Sequence, residues 1–354
     1  MLRSLARRGA LVLAAFALPA FLLGNAATAT TASQAKLASA TIDGDGSTFQ
    51  LGFNQVMIEG FKQQQRAVTV NYQGNGSGTG RTDFVNGVVD FAGTDAAYKS
   101  TDPQPSKPFL YFPTVVAPIT VSYNVEGVKL NLSADTTAKI FSGAINTWDD
   151  AAIKADNPKA KKLPSTSITV VHRSDSSGTT ANFTSFLTKA APSSWTLGSG
   201  STVSWPEGTQ GATGNSGVAK LVKDTDGAVG YVDFSDAKAS DLSYASIKNA
   251  AGKFVKPSLP AAAAAAQGAP VNADLTYDPI NSDGAAAYPI TSPTWIIVYQ
   301  DQSDAAKGNA IKGFLNYVYG EGQTLAPSVD YAGLPNGLLK KAKAQVKKIT
   351  VRAS

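Results

Sequence analysis

Apolar and polar residues alternate along this chain with two different periods. Bulky apolar side chains recur at the spacing of one helix face, at Phe49, Phe53, Met57 and Phe61. This spacing predicts an amphipathic helix with that face buried. The next segment, Ala67–Tyr72, is rich in β-branched residues and predicts a strand. Helix-like and strand-like segments continue to take turns, which is typical of an α/β fold with a largely buried sheet.

Several later segments have an equally clear pattern. Strands are predicted at Val88–Phe91, Ser167–Val170, Ala228–Val232 and Thr294–Tyr299, and helices at Ala134–Phe141, Ala181–Ala190, Val218–Val222, Ala305–Tyr319 and Gly337–Lys347. The alanine-rich segment Leu259–Ala269 fits either a short helix or a surface loop, and its pattern does not separate the two.

One apolar run, Phe109–Tyr123, is too long for a typical strand and is interrupted by Pro113 and Pro118. We therefore expect it to cross between two lobes. A chain of 354 residues is long enough for two domains with a core each.

The N-terminus has the layout of a secretory signal peptide over residues 1–29. Arg3, Arg7 and Arg8 precede the apolar run Gly9–Gly24, and Ala27-Thr28-Ala29 offers a small-residue cleavage site. A retained membrane anchor is the alternative, although the run is short and contains a proline. The prediction is an exported, freely soluble protein, periplasmic or secreted from a single-membrane cell.

Charge and composition narrow the function classes. Removal of the leader, with three arginines and no acid, lowers the formal charge from +5 to +2, so a nucleic-acid partner is not supported. The absence of cysteine excludes disulfides, thiol nucleophiles and a lipid-modified cysteine. The single histidine, His172, makes a metal cluster or a hydrolase triad improbable, and we expect it to have a structural role.

A predicted strand ends and a predicted helix begins in the segment that contains Arg173, Ser177 and Thr179. The first turn of a helix has unpaired N–H groups and a partial positive charge, which suit a small oxyanion. Arg173 would add a bidentate, permanently charged donor, and the hydroxyls would add further donors. The alternative is an N-cap on an ordinary surface helix.

Three further clusters have the same character: Gly44–Phe49, Gly74–Arg81 and Asp90–Asp95. The first fails the dinucleotide fingerprint because Phe49 stands where the third glycine should be, and the second lacks the Gly-Lys-Ser/Thr ending of a nucleotide P-loop. Each alone fits ordinary turns and caps. Together they predict a cage of donors around a tetrahedral oxyanion.

Asp95 gives this predicted cage its selectivity. A carboxylate can only accept hydrogen bonds, so it would repel a fully deprotonated anion and bind one that still carries a proton. The site should therefore prefer hydrogen phosphate to sulfate at neutral pH.

From about Ala40 to near the C-terminus, the chain resembles the periplasmic phosphate-binding proteins of bacterial high-affinity phosphate ABC importers. The resemblance rests on Gly46–Phe49, Tyr72–Ser77, Val89–Phe91 with Asp95, Thr147–Asp150, Arg173–Thr179, Gly214–Gly217, Gly227–Val232 and Tyr288–Ser292. It implies a two-lobed, type II solute-binding fold, each lobe a mixed sheet flanked by helices, with a two-strand hinge. The implied lobes are 41–117 with 290–354, and 118–289, with crossings at Phe112–Val115 and Pro289–Ser292.

The resemblance also implies a set of anion contacts: Thr48, the backbone N–H of Phe49, Ser77, Asp95, Arg173, Ser177, Gly178 and Thr179. Asp175 would pair with Arg173 and hold its guanidinium in place. The chain departs from the usual pattern at Ser176, where glycine is common, and at Gly78-Thr79, where Ser-Gly is common. Both departures bear on the geometry of the turns.

The implied function is that of a monomeric, non-enzymatic receptor that binds inorganic phosphate between its lobes and delivers it to a membrane permease. It implies no cofactor, no metal and no catalytic residue. A secreted phosphatase is an alternative from another class. A third possibility is a binding protein for sulfate or molybdate, against which Asp95 argues.

Overall fold

The computed structural model describes residues 36–160 and 162–352. The strands are β1 (Ala40–Gly46), β2 (Val68–Gln73), β3 (Phe91–Thr94), β4 (Phe109–Tyr123), β5 (Asn131–Leu132), β6 (Thr169–Arg173), β7 (Gln210–Ala212), β8 (Ala228–Asp233), β9 (Ser243–Tyr244), β10 (Ser246–Lys248), β11 (Phe254–Val255), β12 (Thr291–Tyr299), β13 (Asp301–Gln302) and β14 (Thr350–Val351). The helices are α1 (Leu51–Gln64), α2 (Ser77–Val85), α3 (Ala134–Phe141), α4 (Ala151–Asp156), α5 (Gly178–Ala190), α6 (Gly214–Asp224), α7 (Phe234–Ala239), α8 (Leu259–Gln267), α9 (Ala305–Tyr319), α10 (Glu321–Leu325) and α11 (Asn336–Val346). A 3₁₀ helix covers Ala326–Val329.

A long mixed sheet has the strand order β2–β1–β3–β12–β4–β8–β6–β7, with β9 beside β4. β1 pairs in parallel with β2 and β3, and β6 pairs in parallel with β7 and β8. β12 is antiparallel to both of its neighbours, β3 and β4. This architecture confirms the predicted α/β class.

β4 changes partner along its length. Its residues from Phe109 to Pro118 pair with β12, whereas Ile119–Tyr123 pair with β8. At the changeover, the Ile119 N–H donates to the Ile290 carbonyl at 2.8 Å. The change therefore lies beyond Phe112–Val115, the segment that the resemblance marked as a crossing. Both proline positions of β4 fall within the antiparallel pairing with β12.

The predicted helix face on α1 is confirmed, because Phe53, Met57 and Phe61 are buried on it. Phe49 lies buried just before the helix begins, and Tyr331 packs edge-on against both Phe49 and Phe53. Edge-to-face aromatic pairs stabilise a core beyond the area they bury. The helix is thus held to the C-terminal part of the chain by its aromatic face.

The structure settles the alanine-rich segment as a helix, α8. The Ser258 side chain caps its N-terminus by accepting from the Ala261 N–H, and Pro260 lies in the first turn, where its missing N–H costs nothing. Ala262 and Ala265 are completely buried, and the helix packs on β4 and β12. Burial against the sheet stabilises a segment whose own sequence has no amphipathic period.

Several predicted elements have different bounds in the structure; two of the differences have a clear local cause. The strand predicted at Val88–Phe91 begins only at Phe91, because Gly87 (φ 68°) turns the chain after α2 and leaves Val88 66% exposed. The helix predicted from Ala181 begins at Gly178. Within residues 36–160 and 162–352, no helix combines the length and apolar character needed to cross a bilayer. The predicted signal peptide, residues 1–29, lies outside the described residues.

Candidate anion-binding site

A buried carboxylate, Asp95, follows directly after β3 and is 1% exposed. It accepts hydrogen bonds from three hydroxyls. The Ser47 Oγ donates to both carboxylate oxygens at 2.6 and 2.7 Å, the Thr294 Oγ1 donates at 2.7 Å, and the Ser77 Oγ donates at 3.2 Å. Ser47 follows β1, Ser77 begins α2 and Thr294 lies within β12; the pairing of β3 with both β1 and β12 brings two of these donors beside Asp95. Strand ends of this kind are where open α/β sheets bind ligands.

The hydroxyls around Asp95 are themselves oriented by other donors. The Phe49 N–H donates to the Ser47 Oγ at 3.0 Å, and the Gln50 Nε2 donates to the Thr294 Oγ1 at 2.8 Å. A hydroxyl that accepts at its oxygen keeps its single hydrogen for another acceptor, here Asp95. Loss of hydration on burial raises the pKa of Asp95 to about 6, although the hydroxyl bonds and the charge of Arg173 act in the opposite direction.

Arg173 ends β6, and 1% of its side chain is exposed. Its Nε donates to the Asp175 Oδ1 at 2.7 Å, and its Nη2 donates to the Asp175 Oδ2. The Gly214 N–H also donates to Asp175, at 3.1 Å. Burial acts to raise the pKa of Asp175, but the Arg173 guanidinium and the Gly214 N–H outweigh it and leave the pKa below its ordinary value. Asp175 stays ionised and fixes the plane of the guanidinium.

The N-terminus of α5 lies against the Asp95 carboxylate. Ser177 is the N-cap and accepts from the Thr180 N–H at 3.1 Å, so its own hydroxyl hydrogen stays available. A Cβ added to Gly178 would lie 2.5 Å from the Ser77 Oγ and 2.6 Å from the Asp95 Oδ2. Only glycine allows so close an approach of the helix backbone to the carboxylate. The positive end of α5 therefore faces a negative side chain.

Thr48 and Thr179 approach each other through a third residue. The Asn215 Nδ2 donates to both threonine Oγ1 atoms, at 3.1 Å each. Thr48 follows β1, whereas Thr179 is in the first turn of α5. The loops after β1 and β3 and the N-termini of α2 and α5 thus meet in one cluster. The other residues named from the sequence that lie in it or next to it are Phe49, Ser77, Asp95, Arg173, Ser177 and Gly178.

Asp95 also lies in the wall of a cavity of about 480 Å³. On the side of this cavity, the Asn182 Nδ2 donates to the Asp95 carbonyl at 2.6 Å. Trp295 from β12 and Tyr277 line the same space. None of the other predicted anion contacts lines this cavity, so it adjoins the cluster at Asp95 alone among them.

Several residues of the cluster were not predicted. Ser47 lies within the Gly44–Phe49 motif but was not among the predicted anion contacts; its hydroxyl donates to Asp95. Thr294 and Gln50 lie on β12 and next to α1, and only the placement of β12 beside β3 brings them to the site. Asn215 belongs to the Gly214–Gly217 motif, to which no role was given. The Tyr231 hydroxyl accepts from the Arg173 N–H at 3.0 Å and holds the end of β6.

His172 packs rather than joins the cluster. Its ring stacks on Trp205 with centroids 4.9 Å apart, and its Nδ1 lies 2.9 Å from the Arg173 carbonyl oxygen. Burial lowers its pKa. Among residues 36–160 and 162–352, no group of three or more histidine, cysteine, aspartate and glutamate residues has the geometry of a metal site.

The chain matches the family model described as the PBP superfamily domain over residues 26–321. It is 36% identical over 331 residues to the phosphate-binding protein PstS of Xylella fastidiosa strain 9a5c, covering 91% of this chain and 88% of that protein. It is 38% identical over 328 residues to the phosphate-binding protein PstS of Methanocaldococcus jannaschii, with 83% of this chain and 82% of that protein covered.

Solved structures show the same fold. The phosphate-bound structure of the high-affinity periplasmic phosphate-binding protein PfluDING superposes with a TM-score of 0.70 at 25% identity, covering 86% of this chain and 93% of that chain. The phosphate-binding protein from Stenotrophomonas maltophilia superposes with a TM-score of 0.67 at 22% identity, covering 86% and 94%. The fold is that of a solute-binding protein. The chain belongs to the PBP superfamily and, within it, to the family of phosphate-binding proteins PstS.

Proposed function

We propose that this protein binds inorganic phosphate at the cluster around Asp95 and Arg173 and delivers it to the permease of an ABC importer. The observation that carries the proposal is the pairing of a buried acceptor with buried donors. A Cβ added to Gly178, at the N-terminus of α5, would lie only 2.6 Å from the Asp95 Oδ2, and the charge of the Arg173 guanidinium opposes the burial that raises the pKa of Asp95 to about 6.

The proposed phosphate contacts come from three kinds of donor. Arg173 supplies a charged guanidinium, and the backbone N–H groups of Gly178 and Thr179 lie in the first turn of α5, where no carbonyl of the helix can accept from them. The remaining proposed donors are hydroxyls and one further backbone N–H: Thr48, Phe49, Ser77, Ser177 and Thr179. Ser77 and Phe49, which donate to Asp95 and to the Ser47 hydroxyl in this structure, would exchange those partners for the anion. Charge-assisted hydrogen bonds to an anion are roughly twice as strong as neutral ones, so this donor set favours a small, highly charged guest.

Asp95 makes the proposed site selective for a protonated guest. With its pKa raised to about 6, the carboxyl is ionised at neutral pH. Hydrogen phosphate carries an O–H that can donate to this carboxylate, whereas sulfate has none and would meet an unpaired buried charge. Leaving a buried charge unpaired costs about 3 to 5 kcal/mol.

The proposed lobes are residues 41–117 with 290–354, and 118–289, joined by β4 and β12 as the hinge. The proposed contacts divide between them: Thr48, Ser77 and Asp95 belong to the first lobe, and Arg173–Thr179 to the second. The two sides touch directly, since the Gly78 N–H donates to the Ser176 carbonyl at 3.0 Å. A phosphate held by both lobes favours the closed form by its difference in affinity for the two forms.

We infer that the protein acts outside the cytoplasm as a monomer and is not an enzyme. Membership of a family of binding proteins supports this inference. A phosphatase would need an activated nucleophile or a metal-bound hydroxide at the phosphorus atom. The proposed site instead surrounds the guest with donors and one acceptor.

Isothermal titration calorimetry of the purified protein, freed of endogenous phosphate, tests the proposal. We expect 1:1 binding with a Kd of about 1 μM or tighter, which corresponds to about −8 kcal/mol, and no competition from excess sulfate. The same sample should not hydrolyse p-nitrophenyl phosphate. An absence of phosphate binding, or equal affinity for sulfate, would contradict the proposed function, and steady turnover of the ester would favour the phosphatase.

A further inference from the structure

Asn215 is completely buried in the first turn of α6, and every polar atom of its side chain has a partner. Its Nδ2 donates to the Thr48 Oγ1 and the Thr179 Oγ1, both at 3.1 Å. Its Oδ1 accepts from the Asp233 N–H at 3.4 Å. Because a backbone N–H can only donate, this third contact assigns the oxygen of the amide to the Asp233 side. The NH₂ group therefore faces the two threonines.

The two N–H bonds of Asn215 decide where the threonine hydroxyls point. Each threonine oxygen accepts one hydrogen from Nδ2, so its own hydrogen must point away from Asn215. Among the residues that the structure describes, neither Thr48 nor Thr179 donates its hydroxyl hydrogen to another group. Both hydrogens are left for a guest in the proposed anion site.

We propose that Asn215 is a positioning residue that turns the hydroxyls of Thr48 and Thr179 into donors toward the bound anion. This inference rests on the proposed phosphate function and deepens it. Asn215 itself does not contact the anion. Each of its two N–H bonds donates to one threonine oxygen. A single hydroxyl has only one hydrogen and could not donate to both, and a carboxylate would accept from the threonines instead of donating to them.

The same contacts link anion affinity to closure of the protein. Thr48 follows β1 and belongs to the first proposed lobe, whereas Asn215 and Thr179 belong to the second. The Thr48 hydroxyl is therefore oriented only when the lobes have come together, while Thr179 is oriented within its own lobe. A donor that is already oriented stabilises a charge without the cost of reorientation. Closure of the lobes would therefore add one oriented donor, Thr48, to the one that the second lobe already supplies.

Three variants test the role of Asn215. In Asn215→Ala both hydroxyls lose their orientation, and we expect phosphate affinity to fall about 10- to 30-fold, in line with losing the alignment of two hydrogen bonds to a charged group. In Asn215→Asp the side chain keeps its shape and can still bridge both threonines. They would then donate to it instead of to the anion, and we expect a loss of at least about 100-fold, to which the added charge contributes.

Asn157→Ala is the matched control. Asn157 is a buried amide with an equally full set of partners, donating to the Asn131 and Ile153 carbonyls and accepting from the Asn131 N–H, in a part of the chain outside the cluster. We expect this variant to melt at a lower temperature but to bind phosphate as the wild type does. Melting curves of all variants without phosphate report the purely structural effects.

A double-mutant cycle with Thr48→Val separates positioning from general support of the fold. If Asn215 acts through the hydroxyls, Asn215→Ala should weaken phosphate binding at least threefold less in the Thr48→Val background than in the wild type. Independent, multiplying effects in the two backgrounds would overturn the inference, as would wild-type affinity in Asn215→Ala. If Asn215→Ala does not fold, the inference stands or falls with Asn215→Asp, where wild-type phosphate affinity overturns it. If wild-type protein fails to bind phosphate, the proposed function falls and the inference with it.

Discussion

The ionisation of Asp95 should be visible in the stability of the phosphate-free protein. Burial raises the pKa of this carboxyl from 3.8 to about 6, because the loss of hydration exceeds the opposing effects of three hydroxyl bonds and the charge of Arg173. In the unfolded chain, the carboxyl regains its ordinary value. The native state therefore holds the Asp95 proton more firmly than the unfolded state does.

The sign of the effect follows from proton binding. Between the two pKa values the native state carries more protons, so the free energy of unfolding falls as the pH rises. The stabilisation that Asp95 adds to the free energy of unfolding is fully present below pH 3.8 and is lost as the pH rises through about 6. With these values, lowering the pH from about 7 to about 5 adds roughly 1.3 kcal/mol to the free energy of unfolding.

Urea unfolding of wild-type and Asp95→Asn protein at the two pH values measures this contribution. The asparagine does not titrate, and the other ionisable groups are common to both proteins, so their effects cancel in the difference. We expect the stability of the wild type relative to Asp95→Asn to rise by roughly 1.3 kcal/mol between about pH 7 and pH 5. A difference that is the same at both pH values would refute the argument that burial dominates the ionisation of Asp95.

Three further outcomes follow from the proposed site. Replacing the guanidinium in Arg173→Ala should weaken phosphate binding at least about tenfold by calorimetry, and Arg173→Lys should recover only part of the loss because an ammonium group has no planar fork. Asp95→Asn should reduce the preference for phosphate over sulfate in competition binding, since an amide can donate to a deprotonated oxygen. Gly178→Ala should lower the free energy of unfolding by about 1 to 3 kcal/mol in urea denaturation, because the new Cβ would lie 2.5 Å from the Ser77 Oγ.

Each of these outcomes has its own control. Gly337→Ala, in α11, is the match for Gly178→Ala, because no atom lies within 4 Å of an added Cβ there; it should be neutral or slightly stabilising. Unchanged stability in Gly178→Ala would mean that α5 does not press on the carboxylate. Unaltered phosphate affinity in Arg173→Ala would remove the guanidinium from the site, and an unaltered selectivity ratio in Asp95→Asn would contradict the role given to the carboxylate.

Elements with a strong local pattern could be predicted from the sequence. The helix predicted at Ala305–Tyr319 and the long run at Phe109–Tyr123 have the observed bounds of α9 and β4. The start of α5 was missed because the capping bond of Ser177, rather than the apolar period, sets it. The alanine-rich segment was undecided because a run of small side chains has no hydrophobic period, and only its burial on the sheet makes it a helix.

The site residues also divide into those with a local signal in the sequence and those whose contacts depend on the fold. Glycine-rich turns after strands drew attention to Ser77, Asp95 and Arg173, because the residue types alone suggest an anion. Thr294 carries no local sign of its contact with Asp95, which depends on β12 lying beside β3. Asn215 stood in a noted motif, but the direction of its amide is fixed by the distant Asp233 backbone. Long-range partners of this kind require the fold itself.

The location of β12 between β3 and β4 also bears on how a nascent chain acquires its structure. β3 ends at Thr94 and β4 begins at Phe109, yet the strand that joins them laterally starts only at Thr291. As synthesis proceeds, the far half of β4 can pair with β8, and β8 with β6, while β3 still lacks its neighbour β12. The early strands must stay unaggregated until nearly the whole polypeptide has emerged. A chaperone that keeps the unfolded precursor from aggregating would therefore be needed most at its N-terminal part, where β1, β2 and β3 lie.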